Sequence, residues 1–225
     1  MLSMLFRYGR VAAVALAVLP FAAPAQAQSD QQQLVDRAQA TLENFLRDPD
    51  MTWVQKNISR AKGVLIAPEV VKAGFIFGGS GGRAVLLARD PSGKWHGPAF
   101  YTLATASVGF QAGIAASENV TLVMTEKGLN TLLATSVKLG GDASVAAGPV
   151  GAGAAGDVTT DFVSFARSKG VYGGLNLDGT VISASDEWNN AYYGKSVLPP
   201  DIVIRGNVSN PQAIRILSVV AKPAA

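Results

Sequence analysis

Along residues 28–62 apolar side chains recur at helical spacing. In SDQQQLVDRAQATLENFLRD they fall at Leu34, Ala38, Leu42, Phe45 and Leu46, on one side of a helix. Ser29 or Asp30 supplies an N-cap. Asp48-Pro49 interrupts the pattern and suits the start of a second helix, with Asp as cap and Pro in the first turn. That helix is expected from about Pro49 to Arg60. Its stripe is Trp53 or Val54, then Ile58 and Ala61, and Gly63 ends it in the C′ position.

From Gly63 the period shortens toward two. GVLIAP is a short apolar run before a proline, and AGFIFGGSGGRAVLLARD reads as two strands around a Gly-Ser turn. DPSG (90–93) is a turn signature. PAFYTLATASVGFQAGIAAS favours strand: from 107 to 114, Val108, Phe110, Ala112 and Ile114 share one face. NVTLVMT is another strand and EKGLNTLLAT a short helix. Over 136–147, Val137, Leu139, Gly141, Ala143, Val145 and Ala147 alternate with smaller or polar residues. DFVSFARSKGVYGGLNL and TVISAS are strand-like and flank an Asp178-Gly179 hairpin signal. DEWNNAYYG is helical up to Gly194, and NPQAIRILSVVAK makes a last helix. No repeat of 20–50 residues is present, so the chain is not a solenoid. The pattern predicts an α+β domain: a glycine-rich, mainly antiparallel sheet with helices at the N- and C-terminal ends.

The first residues change the count of what folds. Arg7 and Arg10 precede an apolar run, Val11 to Leu19, and Ala25-Gln26-Ala27 is a small-x-small cleavage pattern. The run is too short for a bilayer, which needs roughly 20 residues. These features predict a Sec-type signal peptide over 1–27, cleaved after Ala27, and one domain over 28–225 that is periplasmic or secreted. The formal net charge of the full chain is +3. Residues 1–27 hold two arginines and no acid, so 17 basic and 16 acidic side chains remain beyond them, a net charge of +1. Nothing global therefore points to nucleic acid, and an anionic partner must be met by a local patch. With no cysteine the chain has no disulfide framework, and its core must hold it together.

Candidate chemistry is sparse. Nucleophilic catalysis needs a nucleophile, a base and an orienting group. The single histidine, His96, is expected in a surface turn, GKWHGP, and no G-x-S-x-G elbow occurs. The acids are scattered, so neither a metal site nor a cofactor is predicted, and the chain reads as a non-enzyme. GFIFGGSGGR (74–83) has glycines at phosphate-loop spacing, but Ser80-Gly81 stands where a P-loop has Lys-Ser, and a strand-like RAVLLAR follows. A hairpin turn at positive φ is the expected use of those glycines. The remaining cluster is WVQKNISRAK. Lys56 and Arg60 share a helix face, Lys62 follows, and Trp53 lies one turn before Lys56. Cations beside an interfacial aromatic are the ingredients of a contact with an anionic membrane, each cation contributing roughly 1 kcal/mol. Lys72, and Arg83 at the tip of the glycine turn, are expected to join them. The competing expectation is a solvated helix face with Trp53 in the core.

Several ordered stretches together carry a resemblance. AKGVLIAPEVVKAGFIFGGSGGRAVLLARD, WHGPAFYTL, SVGFQAG, KLGGDASVAAGPVGAGA, SFARSKGVYGGLNLDG and NAYYGK resemble the SYLF-domain family, from about Leu42 to Asn210. The resemblance implies a single α+β SYLF domain. Eukaryotic members bind phosphoinositide membranes, and some bind actin filaments. The predicted export and the Ala/Gly-rich, bacterial style argue against actin and phosphoinositides as partners, and what the resemblance then implies is binding to anionic phospholipid head groups. The residues expected to meet them are those of the charge reading, Lys56, Arg60, Lys62, Lys72, Arg83 and Trp53. The alternative it implies is a protein-interaction or structural module of the cell envelope.

Overall fold

The computed structural model describes residues 28–74, 77–108, 113–151, 159–168, 171–174 and 177–222. The expected leader and its cleavage position lie outside them, as do 109–112 of the predicted alternation. Helix α1 (Asp30–Arg47) starts at the predicted cap, where the Ser29 hydroxyl accepts from the Gln32 backbone N–H at 3.2 Å. Leu34, Ala38, Leu42 and Phe45 are all buried, as the spacing requires. Asp48 accepts from the Asp50 N–H at 2.9 Å and opens a 3₁₀ turn, Pro49–Met51, that leads into α2 (Thr52–Asn57). Bonds from Ile58 N to Val54 O and from Ala61 N to Asn57 O continue the helical path. They carry Ile58 and Ala61 onto the buried side with Trp53 and Val54.

Gly63 does not cap this helix. Lys62 has already entered the sheet, its N–H donating to Val123 O at 2.7 Å and its carbonyl accepting from Arg89 N at 2.9 Å. Gly63 is instead the first residue of β1 (Gly63–Gly74). Then come β2 (Phe77–Arg89), β3 (Trp95–Val108), β4 (Gly113–Val123) and α3 (Glu126–Leu132). The short strands follow: β5 (Ser136–Lys138), β6 (Val145–Ala147), β7 (Phe162–Ser168), β8 (Val171–Gly174) and β9 (Val181–Ala184). Helices α4 (Asp186–Tyr193), α5 (Pro199–Val203) and α6 (Ile214–Ala221) complete the chain; α5 has no counterpart in the sequence reading. The nine strands form one sheet in the order β5-β9-β3-β2-β1-β4-β7-β6, with β8 paired to β7. Only β6 and β7 run parallel, so the sheet is mainly antiparallel.

The sheet is buried on both faces over half its length. Val64, Ile66, Val85, Leu87, Phe100, Val120, Leu122 and Phe165 face α1, α2, α4 and α6. Leu65, Leu86, Tyr101, Leu103, Val123 and Phe162 face the other way, under α3, α5 and the segment holding Val137 and Leu139. This double burial explains why GVLI and AVLLA are continuous apolar runs and not alternations.

Three strand expectations change. The glycines 78–82 are not the turn: they lie inside β2, paired with Gly74 to Val70 of β1 and with Ser107 to Leu103 of β3. None has positive φ. At Gly82 the requirement is close approach. Both pairings of β1 shift register around Pro68, which has no N–H to give to a ladder. A Cβ on Gly82 would stand 2.4 Å from the Glu69 carbonyl. The period-two run over 136–147 is not one strand, because Gly140 at φ 80° turns the chain between β5 and β6. Asp178-Gly179 makes a turn but no hairpin, since β8 pairs with β7 while β9 pairs with β3 and β5.

Candidate functional site

The antiparallel register brings four strand ends together. Gly63 opposes Ala88 on one side and Val123 on the other, and Arg89 opposes Trp95. The segment after α2 and the start of α3 join this same end. Since Trp53, Val54, Ile58 and Ala61 point inward, Lys56 and Arg60 are left exposed on the solvent side, as their four-residue spacing predicts. Lys62 follows, half exposed, with its ammonium 2.8 Å from Glu126. Such an exposed pair contributes at most about 1 kcal/mol. Two of the predicted cations, Arg60 and Lys62, thus line one cleft at this end, and Lys56 is exposed one turn before Arg60.

The other three predicted site residues do not join them. Trp53 is 3 % exposed, with its ring 5.7 Å from that of Phe165, so it is a core residue and not an interfacial anchor. Lys72 is ten residues along β1 from Lys62, roughly 30 Å at strand rise. Arg83 is not at a loop tip. It lies mid-strand opposite Glu69, its guanidinium 3.9 Å above the Trp188 ring. It also shares the face of Val85, whereas Lys72 shares the face of Val70.

One cation was missed. Arg89 ends β2, lies over the Trp95 ring at 4.6 Å, and lines a cleft of about 240 Å³ with Arg60, Lys62, Asp90, Gly93 and Glu126. The signal was present in the sequence: strand parity places Arg89 on the face of Val85 and Leu87, and the DPSG turn folds Trp95 beside it. The turn itself is tied by Asp90, whose carboxylate accepts from Ser92 N, Ser92 Oγ and Lys94 N at 2.6–3.0 Å and from His96 Nε2 at 2.9 Å. The Ser92 hydroxyl and then His96 hold its pKa well below the usual carboxylate range. His96 is therefore a strand residue that braces a turn, not a surface turn residue.

A second cleft, about 440 Å³, lies beside the Pro68 bulge between α1 and the sheet. Its charges compensate one another: Arg37 pairs with Glu69 at 3.4 Å, and Arg167 pairs with Glu118, which also accepts from Thr41. It offers no surplus charge to an anion. Among the described residues no three His, Cys, Asp or Glu converge on a metal position, and no helix is long and apolar enough to cross a membrane.

Asp161 anchors α3 beneath the basic end. It is buried and accepts from Thr125 Oγ1 at 2.5 Å, Ser144 N at 3.0 Å and Ser144 Oγ at 2.8 Å, with Lys127 at 3.5 Å. Burial by itself raises its pKa; the bonds from Thr125 and Ser144 and the Lys127 charge outweigh that and hold it at about 2. A pKa depressed in the folded state contributes stability that is present above about pH 4 and lost as pH falls toward 2. Asp161→Asn is expected to lose about 1–3 kcal/mol at pH 7. Its urea-unfolding free energy should also fall less steeply between pH 4 and 2 than that of the parent; an unchanged acid limb would contradict this role.

Known proteins are similar to the chain over most of its length. The family model described as Ysc84, Las17-binding protein actin regulator, matches residues 104–223. SH3 domain-containing YSC84-like protein 1 of Bos taurus is 30% identical over 168 residues, covering 72% of this chain and 49% of that protein. Protein YSC84 of Saccharomyces cerevisiae is 33% identical over 163 residues, covering 69% and 34%. LAS seventeen-binding protein 3 of the same yeast is 32% identical over 165 residues, covering 70% and 35%. The chain thus spans about half the length of the animal relative and about a third of the yeast ones. No solved structure matches.

Proposed function

The chain belongs to the Ysc84 (SYLF) family, and from that premise we propose that it is a non-enzymatic module that binds anionic phospholipid surfaces through its basic end. The observation that carries this reading is the grouping of Arg60 and Lys62 with Arg89 around one cleft, with Lys56 exposed one turn before Arg60, while the nearby acids are engaged within the protein: Asp90 by its own turn and Glu126 by Lys62. Lys94 and Lys127 extend the same end, and both are exposed. The expected exported location places bacterial envelope lipids such as phosphatidylglycerol within reach. With only a few cations, and with Trp53 in the core, binding is weak and salt-sensitive. Residues 28–225 should float with phosphatidylglycerol vesicles and not with phosphatidylcholine vesicles. Lys56→Glu/Arg60→Glu should abolish flotation without changing the melting temperature by more than a degree or two. Equal flotation with both lipids, or flotation unchanged in high salt, removes the reading.

A second reading, docking of a protein, is favoured by one surface. Beyond the cover of α1 the sheet presents Val71, 41 % exposed, and Ile114, 82 % exposed, amid Ala73, Ala104, Ala106 and Ala116. The yeast relative named for Las17 binding has a protein partner by its name. Capture of an envelope protein that is independent of lipid and lost in Ile114→Glu would support this reading over the first.

A further inference from the structure

The basic end is more than a diffuse patch. Its cleft has a volume of about 240 Å³, with Arg60, Lys62 and Arg89 on its walls. Two acids, Asp90 and Glu126, line the cleft as well, against the three cations, and both are engaged within the protein. Both oxygens of Asp90 accept bonds from its own turn and from His96, and Glu126 is paired to Lys62. Arg60 has no carboxylate partner among the described residues, and neither has Arg89. Arg89 is also held in place by stacking over Trp95, and its Nε is buried without a hydrogen-bond partner. Two arginines without acid partners, one of them fixed against an aromatic, present donor forks whose geometry suits the oxygens of a phosphate. A guanidinium prearranged by stacking loses little entropy on binding.

We propose that the cleft between Arg60, Lys62 and Arg89 seats one phosphate ester group, with Arg89 as its fixed wall and Arg60 closing from the solvent side. The proposal deepens the anionic-surface reading and rests on it for the source of the ligand, a phospholipid head group; a free phosphate ester shares the chemistry. A flat patch would respond to phosphate and chloride alike at equal ionic strength, whereas a seat distinguishes them.

The test uses residues 28–225 with inorganic phosphate and glycerol 3-phosphate as probes, against chloride at matched ionic strength. Both probes should raise the melting temperature by at least about 2 °C at saturation. The midpoint concentration should rise about tenfold in Arg60→Gln and in Arg89→Gln and recover partly in Arg89→Lys. Glycerol 3-phosphate should also displace the protein from phosphatidylglycerol vesicles. A thermal shift without any vesicle flotation would keep the seat, assign it to a free phosphate ester and remove the membrane reading. Flotation that depends on Lys56 and Arg60 but is untouched by phosphate would keep the membrane reading and overturn the seat, as would equal shifts in parent and variants. Should Arg89→Gln fold poorly after losing its stack on Trp95, Arg60→Gln decides, since its side chain is exposed on a turn.

Discussion

Trp53→Ala is expected to destabilise the fold by about 3–5 kcal/mol, the usual cost of truncating a buried large aromatic. Trp53 is 3 % exposed and packs with Phe165 in the cluster that joins α1 and α2 to the sheet. Removing the indole opens a cavity under the helical layer, where neither helix can collapse without leaving the strands. Urea unfolding followed by far-UV circular dichroism measures the loss. If the residue were instead an interfacial anchor, the variant would keep its stability and lose vesicle binding; a change below about 1 kcal/mol would show that. The same experiment separates Trp53 from its neighbours in sequence. Lys56 and Arg60 are exposed, and their substitutions should leave the unfolding curve within about 0.5 kcal/mol of the parent.

Gly82→Ala should cost about 3 kcal/mol, although it adds a single methyl group. The new carbon would meet the Glu69 carbonyl oxygen at 2.4 Å and the Val70 Cα at 3.2 Å. Both are backbone atoms of the bulge around Pro68, so relief requires moving β1 itself. Gly81→Ala, one residue away, is the matched control. Its nearest neighbour would be the Leu103 carbonyl at 3.5 Å, an ordinary contact. That variant should be neutral within about 0.5 kcal/mol, or slightly stabilising because the unfolded chain loses freedom. Parallel urea curves for the pair check the prediction. Two equal losses would mean that the whole glycine run, not the bulge contact, matters.

The legible parts of the molecule are those in which one segment carries its own information. The stripe of α1, its Ser29 cap, the Asp90 turn, the helix ending at Gly194 and the final helix each rest on residues a few positions apart. So does the pairing of Lys56 with Arg60 on one face. The failures share a different property. GGSGG reads as a turn because glycine permits turns, yet the reason for glycine at 82 sits thirteen residues upstream, at Glu69. Asp178-Gly179 turns as expected, but which strands then pair is decided across the sheet. Lys72 and Arg83 are close in sequence, and the pleat puts them on opposite faces.

The basic end shows the division most clearly. Local spacing along the chain determined that Lys56 and Arg60 face solvent together and that an amphipathic first helix covers a sheet of apolar runs. Only the tertiary structure decided that Trp53 turns inward and that Arg89 arrives beside Arg60 from another strand. It also decided that Asp90 and Glu126 are occupied while two arginines near them are not. The physical reason is range. Helix faces and caps are set by neighbours within a turn, whereas a cleft is set by strand register and by which side chains the core claims first.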